Sequence, residues 1–179
     1  MVAVGLQSYL GCAEESSWNT PGTPDRFFEF LSEALERDQK ILQSNAIRAG
    51  ARNLRRGARR AQTSRSGKGP ISLEVATTSF GRIFKHILGG TPAITQLSST
   101  TAWQHIYSMG PLATRGLTWQ KVIRDPAGNV VSPLTFTGCK IASAEFSNSV
   151  GNFLNLNLDI VAADVLTSTS AASLRVKVS

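Results

Sequence analysis

A change of hydrophobic period near the middle of the chain constrains its fold more than any other feature. After Gly69, residues Ile71, Leu73 and Val75 alternate with Ser72, Glu74 and Ala76. A two-residue period is that of a strand with one buried face. Phe80, Ile83, Phe84, Ile87 and Leu88 then recur at helical spacing and form one apolar stripe, with Arg82, Lys85 and His86 off it. Thr77, Thr78 or Ser79 can cap the first turn, and Gly89, Gly90 and Pro92 stop the helix. So short a helix is marginal alone in water, and its stripe must lie on a sheet. The other clear signals are strands. The expectation is a mainly β (α+β) fold with one short helix at about 79–88.

Those strands fall in order. Residues 2–12 read as the first, and 14–24 as turn chemistry around Trp18. Over 25–47 two readings stand. Phe27, Leu31, Leu35, Leu42 and Ala46 fit helical spacing, and the composition favours helix. The cluster Phe27, Phe28, Phe30 and Leu31 also suits a strand. Residues 101–107 form a strand with Trp103, His105 and Tyr107 on one face. Leu117–Arg124 and 130–137 form a hairpin about the turn Asp125–Asn129, and a further strand runs from Cys139 to Phe146. Leu154, Leu156, Leu158 and Ile160 alternate with Asn155, Asn157 and Asp159, the cleanest half-buried strand in the chain. A basic edge strand is expected at 174–178.

With 179 residues and 41% hydrophobic content, the chain can bury one domain's core, and 1–179 reads as a single domain with a short tail at 163–179. No apolar run approaches the ~20 residues that span a bilayer. The N-terminus lacks a basic, continuous apolar leader, which predicts no signal peptide. Cys12 and Cys139 lack a CxxC partner and read as free, buried thiols in a reducing compartment.

The net charge of +7 is unevenly placed. Residues 1–38 carry net −5, while 39–73 carry nine bases and no acid. Arg48, Arg52, Arg55, Arg56, Arg59, Arg60, Arg65 and Lys68 lie in a Gly/Arg/Ser-rich stretch that reads as a long basic loop at 48–68. Three uses are open: contact with phosphate backbone, a solvated loop, or an arm that docks on an acidic surface. No aromatic is interleaved between Arg48 and Lys68 to stack on bases.

No catalytic, metal or cofactor constellation is legible. His86 falls on the polar side of the helix, and His105 sits among aromatics in a structural setting. There is no H-x-x-x-H, CxxC, G-x-S-x-G or P-loop. The doublet Glu14–Glu15 reads as a solvated turn.

The order of these motifs resembles the tail tube (major tail) proteins of long-tailed bacteriophages. The likeness is carried by Tyr9–Pro21, Phe28–Leu35 and the basic stretch leading into Gly69–Val75. It continues through the helix ending Leu88-Gly-Gly, Leu117–Val122, Phe136–Ile141 and Leu154–Val161. It implies a β-sandwich or barrel-like fold, no enzyme activity and no cofactor. It implies rings, usually hexameric, stacked into a hollow tube through which DNA passes, with other tail proteins at the ends and no membrane. The location implied is the virion tail, after synthesis in the host cytoplasm. It also turns 27–35 into a strand against propensity and leaves 38–49 open. Some similar proteins carry a second, related half after the position of Ala162. A two-domain member could close a ring with three copies, whereas one domain needs six, and this chain is either a complete one-domain form or a shortened one.

The leading reading is thus a self-assembling tube subunit. The alternatives are another phage connector or tail-end protein of related fold, or a basic domain that binds nucleic acid non-specifically. Within the leading reading, the eight cations from Arg48 to Lys68 are expected to reach a neighbouring subunit and meet acids such as Glu29, Glu33 and Glu36.

Overall fold

The computed structural model describes residues 4–44, 60–76, 79–111 and 115–173. Its elements are β1 (Val4–Glu14), β2 (Arg26–Phe28), β3 (Phe30–Glu33), β4 (Glu36–Gln43), β5 (Arg60–Glu74), α1 (Gly81–Leu88), β6 (Ala93–Gln96), β7 (Trp103–Ile106), β8 (Leu117–Arg124), β9 (Val130–Ser147), β10 (Asn155–Ala162) and β11 (Asp164–Leu166). Nine of the strands form one curled sheet in the order β2-β1-β8-β9-β10-β5-β3. β11 also pairs with β9, and β4 with β5. β6 and β7 form a separate two-stranded ribbon. The mainly β, barrel-like expectation with one flanking helix is met.

β9 makes the curl. Its first part pairs with β8, up to Leu117 opposite Cys139, and its second part pairs with β10, from Lys140 opposite Val161. The change falls at Gly138, whose φ of 60° is left-handed and where a Cβ would lie 2.7 Å from that of Ala163. The two strands expected at 130–137 and 139–146 are therefore one long bent strand. Between the halves lies the core, with Leu10, Phe28, Trp119 and Phe136 from one and Ile71, Leu73, Leu156, Leu158 and Ile160 from the other. β10 keeps the predicted alternation, even-numbered residues buried and Asn157, Asp159 and Val161 exposed.

The helix lies where its stripe requires. Phe80 and Ile83 are buried, and Phe84 and Ile87 pack against the core. Gly89 ends it at φ 80°, its N–H donating to the Lys85 carbonyl at 2.8 Å. At the other end Phe80 occupies the cap position and no side chain caps the helix. Ser79 precedes it at φ 72°, while Thr77 and Thr78 lie outside the described residues.

One open reading is resolved, in favour of the strand that the resemblance implies for 27–35, and one is corrected. Between Arg26 and Gln43 there are three strands and no helix; pairing along β5 overrides the helix propensity of 33–39. The basic stretch is not a loop throughout, because 60–68 is the first part of β5. Arg48–Arg59 lie outside the described residues, as does the edge strand expected at 174–178. β11 falls within the segment read as a tail.

Candidate assembly interface

β5 has two lives along its length. From Gly67 to Glu74 it is flanked by β10, with Ala162 opposite Gly67 and Asn155 opposite Glu74. Beyond Gly67, towards Arg60, β4 is its one described partner, from Asp38 opposite Ser66 to Gln43 opposite Arg60. A two-stranded arm thus leaves the sheet. Its root is tied down: Arg65 makes a bidentate ion pair with Asp164, Nη2 to Oδ2 at 2.5 Å, which holds that carboxyl below its usual range. Farther out, the Gln39 amide donates to Gln62 Oε1 at 3.0 Å and Thr63 Oγ1 to the Lys40 carbonyl at 3.2 Å. There Arg60, Ala61, Lys40, Ile41 and Leu42 are all exposed. An isolated two-stranded hairpin is marginally stable in water.

The candidate residues separate by role. Arg60 lies on the outer arm, and Arg48, Arg52, Arg55, Arg56 and Arg59 belong to the undescribed segment that joins its strands. Arg65 is engaged at the root, and Lys68 stands opposite Glu36 across β4 and β5. Glu33 is also engaged, pairing with Lys121 at 2.6 Å and accepting the Leu35 N–H at 3.2 Å. Glu29 and Glu36 are exposed and, like Asp38, have no ion pair among the described residues.

The acids nearer the N-terminus serve the subunit itself. Asp25 accepts from Arg82, Nη2 to Oδ2 at 2.9 Å, and Glu14 from Lys85 at 2.5 Å. Glu15, read from sequence as solvated, is fully buried. Its Oε1 accepts the Gly138 N–H at 2.7 Å and the Thr118 hydroxyl at 3.0 Å, and its Oε2 accepts the Asn19 N–H at 2.9 Å. One carboxylate thus fixes the turn after β1, the start of β8 and the bend in β9. Nothing in the doublet's local sequence signals this, because every donor but Asn19 comes from more than 100 positions away.

His86 is likewise corrected: it is buried, not on a polar face. Its Nε2 lies 3.5 Å from Glu14 Oε1 and has no hydrogen-bond partner among the described residues. Burial lowers its pKa to about 4, outweighing the attraction of Glu14. His105 is exposed on the ribbon and stacks on Tyr107, centroids 6.4 Å apart. Among the described residues no cluster of His, Cys, Asp and Glu could hold a metal ion, and no helix is long and apolar enough to cross a membrane. Cys12 and Cys139 are free and buried, as expected, and burial raises both thiols, that of Cys12 to about 12.

A mainly β curled sheet with one flanking helix matches the tail-tube fold. The chain is similar over 93% of its length to 95% of a chain in the six-fold symmetrised anti-feeding prophage baseplate, at 14% identity and a TM-score of 0.52. It is similar over 95% of its length to 93% of a chain in that prophage's tube-terminating cap, at 10% identity and a TM-score of 0.50. A chain of the SPP1 tail tube matches over 91% of this chain and 77% of its own, at 11% identity and a TM-score of 0.49. None of the curated proteins compared matches it. The family model for phage tail tube proteins matches residues 5–177, and the chain belongs to that family. It is a structural tail tube component of the virion, not an enzyme.

Proposed function

We propose that six copies close into a ring and that rings stack into a tube whose bore passes genomic DNA without sequence-specific contact. Other tail proteins meet the tube at its ends, and the subunit is made in the host cytoplasm before it joins the virion. The chain acts in this as one tail-tube domain.

The observation that carries this reading is the β4–β5 arm. Two strands that leave the sheet, exposed on both sides, need a surface beyond their own subunit. The arm's outer cations, Arg60 and the arginines from Arg48 to Arg59, dock on a neighbouring subunit or ring. Glu29, Glu36 and Asp38 are exposed acids placed to receive them, while Glu33 and Arg65 belong more to the subunit's own frame. The six-fold number is supported by the symmetry applied to the anti-feeding prophage baseplate, and the end partners by the cap of that particle.

Negative-stain microscopy of the purified protein tests this directly. Rings that average with six-fold symmetry, or tubes built from them, are expected. A persistent monomer that shifts duplex DNA with steep salt dependence would overturn the reading in favour of a basic nucleic-acid binder.

A further inference from the structure

From Ile87 to Thr114 the chain has no Asp, Glu, Lys or Arg, 28 consecutive residues in a protein that is 17% charged. The β6–β7 ribbon lies inside this stretch, and all of its strand residues are exposed. Its register puts Ile94, Gln96, Trp103 and His105 on one face and Ala93, Thr95, Gln104 and Ile106 on the other. Trp103 is 56% exposed, and Ile94 and Ile106 nearly as much, so both faces present apolar surface. Among the described residues neither outer edge is paired. Free edges are normally protected by Lys, Pro or a bulge, and neither strand contains one.

The ribbon does not dangle. Gly89 and Met109 bridge at its base, Gly110 N–H donates to the Leu88 carbonyl at 3.0 Å, and Tyr107 packs on Phe84 with centroids 6.0 Å apart. A fixed, charge-free element bearing Trp103, Tyr107 and Met109 has the composition of an interface core.

A second charge-free stretch, Phe146–Leu158, contains the β9–β10 turn. Phe153 is 74% exposed there, with Val150 and Leu154 also open to solvent. Phe153 and Leu31 line a cleft of about 290 Å³ whose polar lining includes Asn148 and Asn152, with Glu74 as its charged member.

We infer that the β6–β7 ribbon of one subunit seats in the cleft beside the β9–β10 turn of a neighbouring copy, Trp103 and Ile94 against Phe153 and Leu31. The inference rests on the tube-subunit reading above. The occupant is a second copy because the two apolar stretches, each free of Asp, Glu, Lys and Arg, are different parts of one chain, with Glu74 the one charged residue of the cleft. A contact between unlike patches is heterologous, the kind that closes rings or propagates stacks. A charged partner would find nothing to pair with on the ribbon, whereas Gln96, on the Trp103 face, can exchange neutral hydrogen bonds with Asn148 and Asn152.

The test uses the full chain. Trp103→Ser with Ile94→Ser, and separately Phe153→Ser, should leave the melting curve unchanged, since all three side chains are exposed. Each should raise the concentration at which rings or tubes form at least ~tenfold, as loss of an interface anchor does. Because the native thiols are buried, subunits carrying Trp103→Cys mixed with subunits carrying Phe153→Cys should give a disulfide-linked heterodimer on mild oxidation. Wild-type tubes with unaffected variants, or tubes without that cross-link, would overturn the inference and leave the tube-subunit reading intact. A wild type that forms neither rings nor tubes at any concentration would overturn both.

Discussion

His86 shows how much a single buried residue can govern. In the unfolded chain its imidazole protonates near pH 6.5, whereas in the folded protein burial holds protonation down to about pH 4. Between those values the unfolded state binds the extra proton, so stability falls as pH drops from 6.5 to 4. The loss reaches up to ~3 kcal/mol at the lower end. Glu14, beside it, acts in a lower window. Burial alone would raise its pKa, but the hydrogen bond and charge of Lys85 outweigh this and hold it below 4.5. Its contribution is full above 4.5 and is lost as pH falls below that. His86→Phe should therefore flatten the fall between pH 6.5 and 4.5 and leave the steeper acid loss in place, read from denaturant midpoints across a pH series. An unchanged slope would show that another group carries the proton linkage. Neither this histidine nor Glu15 announces its role in the sequence. A residue's period on its own element reports one face, whereas burial here comes from β1 and its following turn packing against a helix some seventy positions later.

At the scale of elements, β10 is where sequence and structure agree most closely, because one face is buried along its whole length. Register makes that agreement testable. Leu156 stands opposite Leu73 on one side and Phe146 on the other, and its side chain is fully buried; Asn157 is exposed and its Oδ1 accepts from the Ser72 hydroxyl at 2.7 Å. Leu156→Asp should abolish folding, since an unpaired carboxylate would enter the core. Asn157→Asp keeps an acceptor for Ser72 and should shift the melt by no more than ~0.5 kcal/mol, as surface changes do. Soluble Leu156→Asp protein with a wild-type melt would refute the register. The helix was legible for the same reason as β10: a stripe, a glycine stop and a sheet to cover. β4 and the outer half of β5 were not. A strand exposed on both faces has no buried side to impose a two-residue period, so Ser, Gln and Arg leave only propensity to read, and propensity in 33–39 favours helix. β9 was split in the reading because Gly138 looks like a break. In the fold it is a bend, and pairing continues past it on the other half of the sheet.

On the scale of the whole molecule, charge separates the subunit's own frame from what it offers to neighbours. The acids of the first 38 residues are mostly consumed internally: Glu14 by Lys85, Asp25 by Arg82, Glu33 by Lys121, and Glu15 by buried donors. The cations of the arm are divided in the same way. Arg65 is bound to Asp164 at the root, while Arg60 is exposed near the outer end of β5. Substitutions at the two places should therefore fail differently. Arg65→Ser removes a bidentate partner and leaves Asp164 unpaired beside the point where the arm leaves the sheet, so it should lower the melting temperature of the isolated subunit. Arg55, Arg56, Arg59 and Arg60 changed together to Ser should leave that temperature unchanged but weaken assembly. Each exposed pair contributes only ~0–1 kcal/mol, so one arginine will not decide the outcome, whereas four per subunit repeated around a ring can. Salt supplies the control. Raising ionic strength from 0.1 to 1 M shortens the screening length from ~10 to ~3 Å, which should weaken wild-type assembly and have little further effect on the quadruple variant. Sedimentation of both proteins across that salt range measures this. If the quadruple variant pellets as readily as wild type, and with the same salt dependence, the arm's charges do not dock, and any contact the arm makes rests on its uncharged surface, Ile41 and Leu42 included.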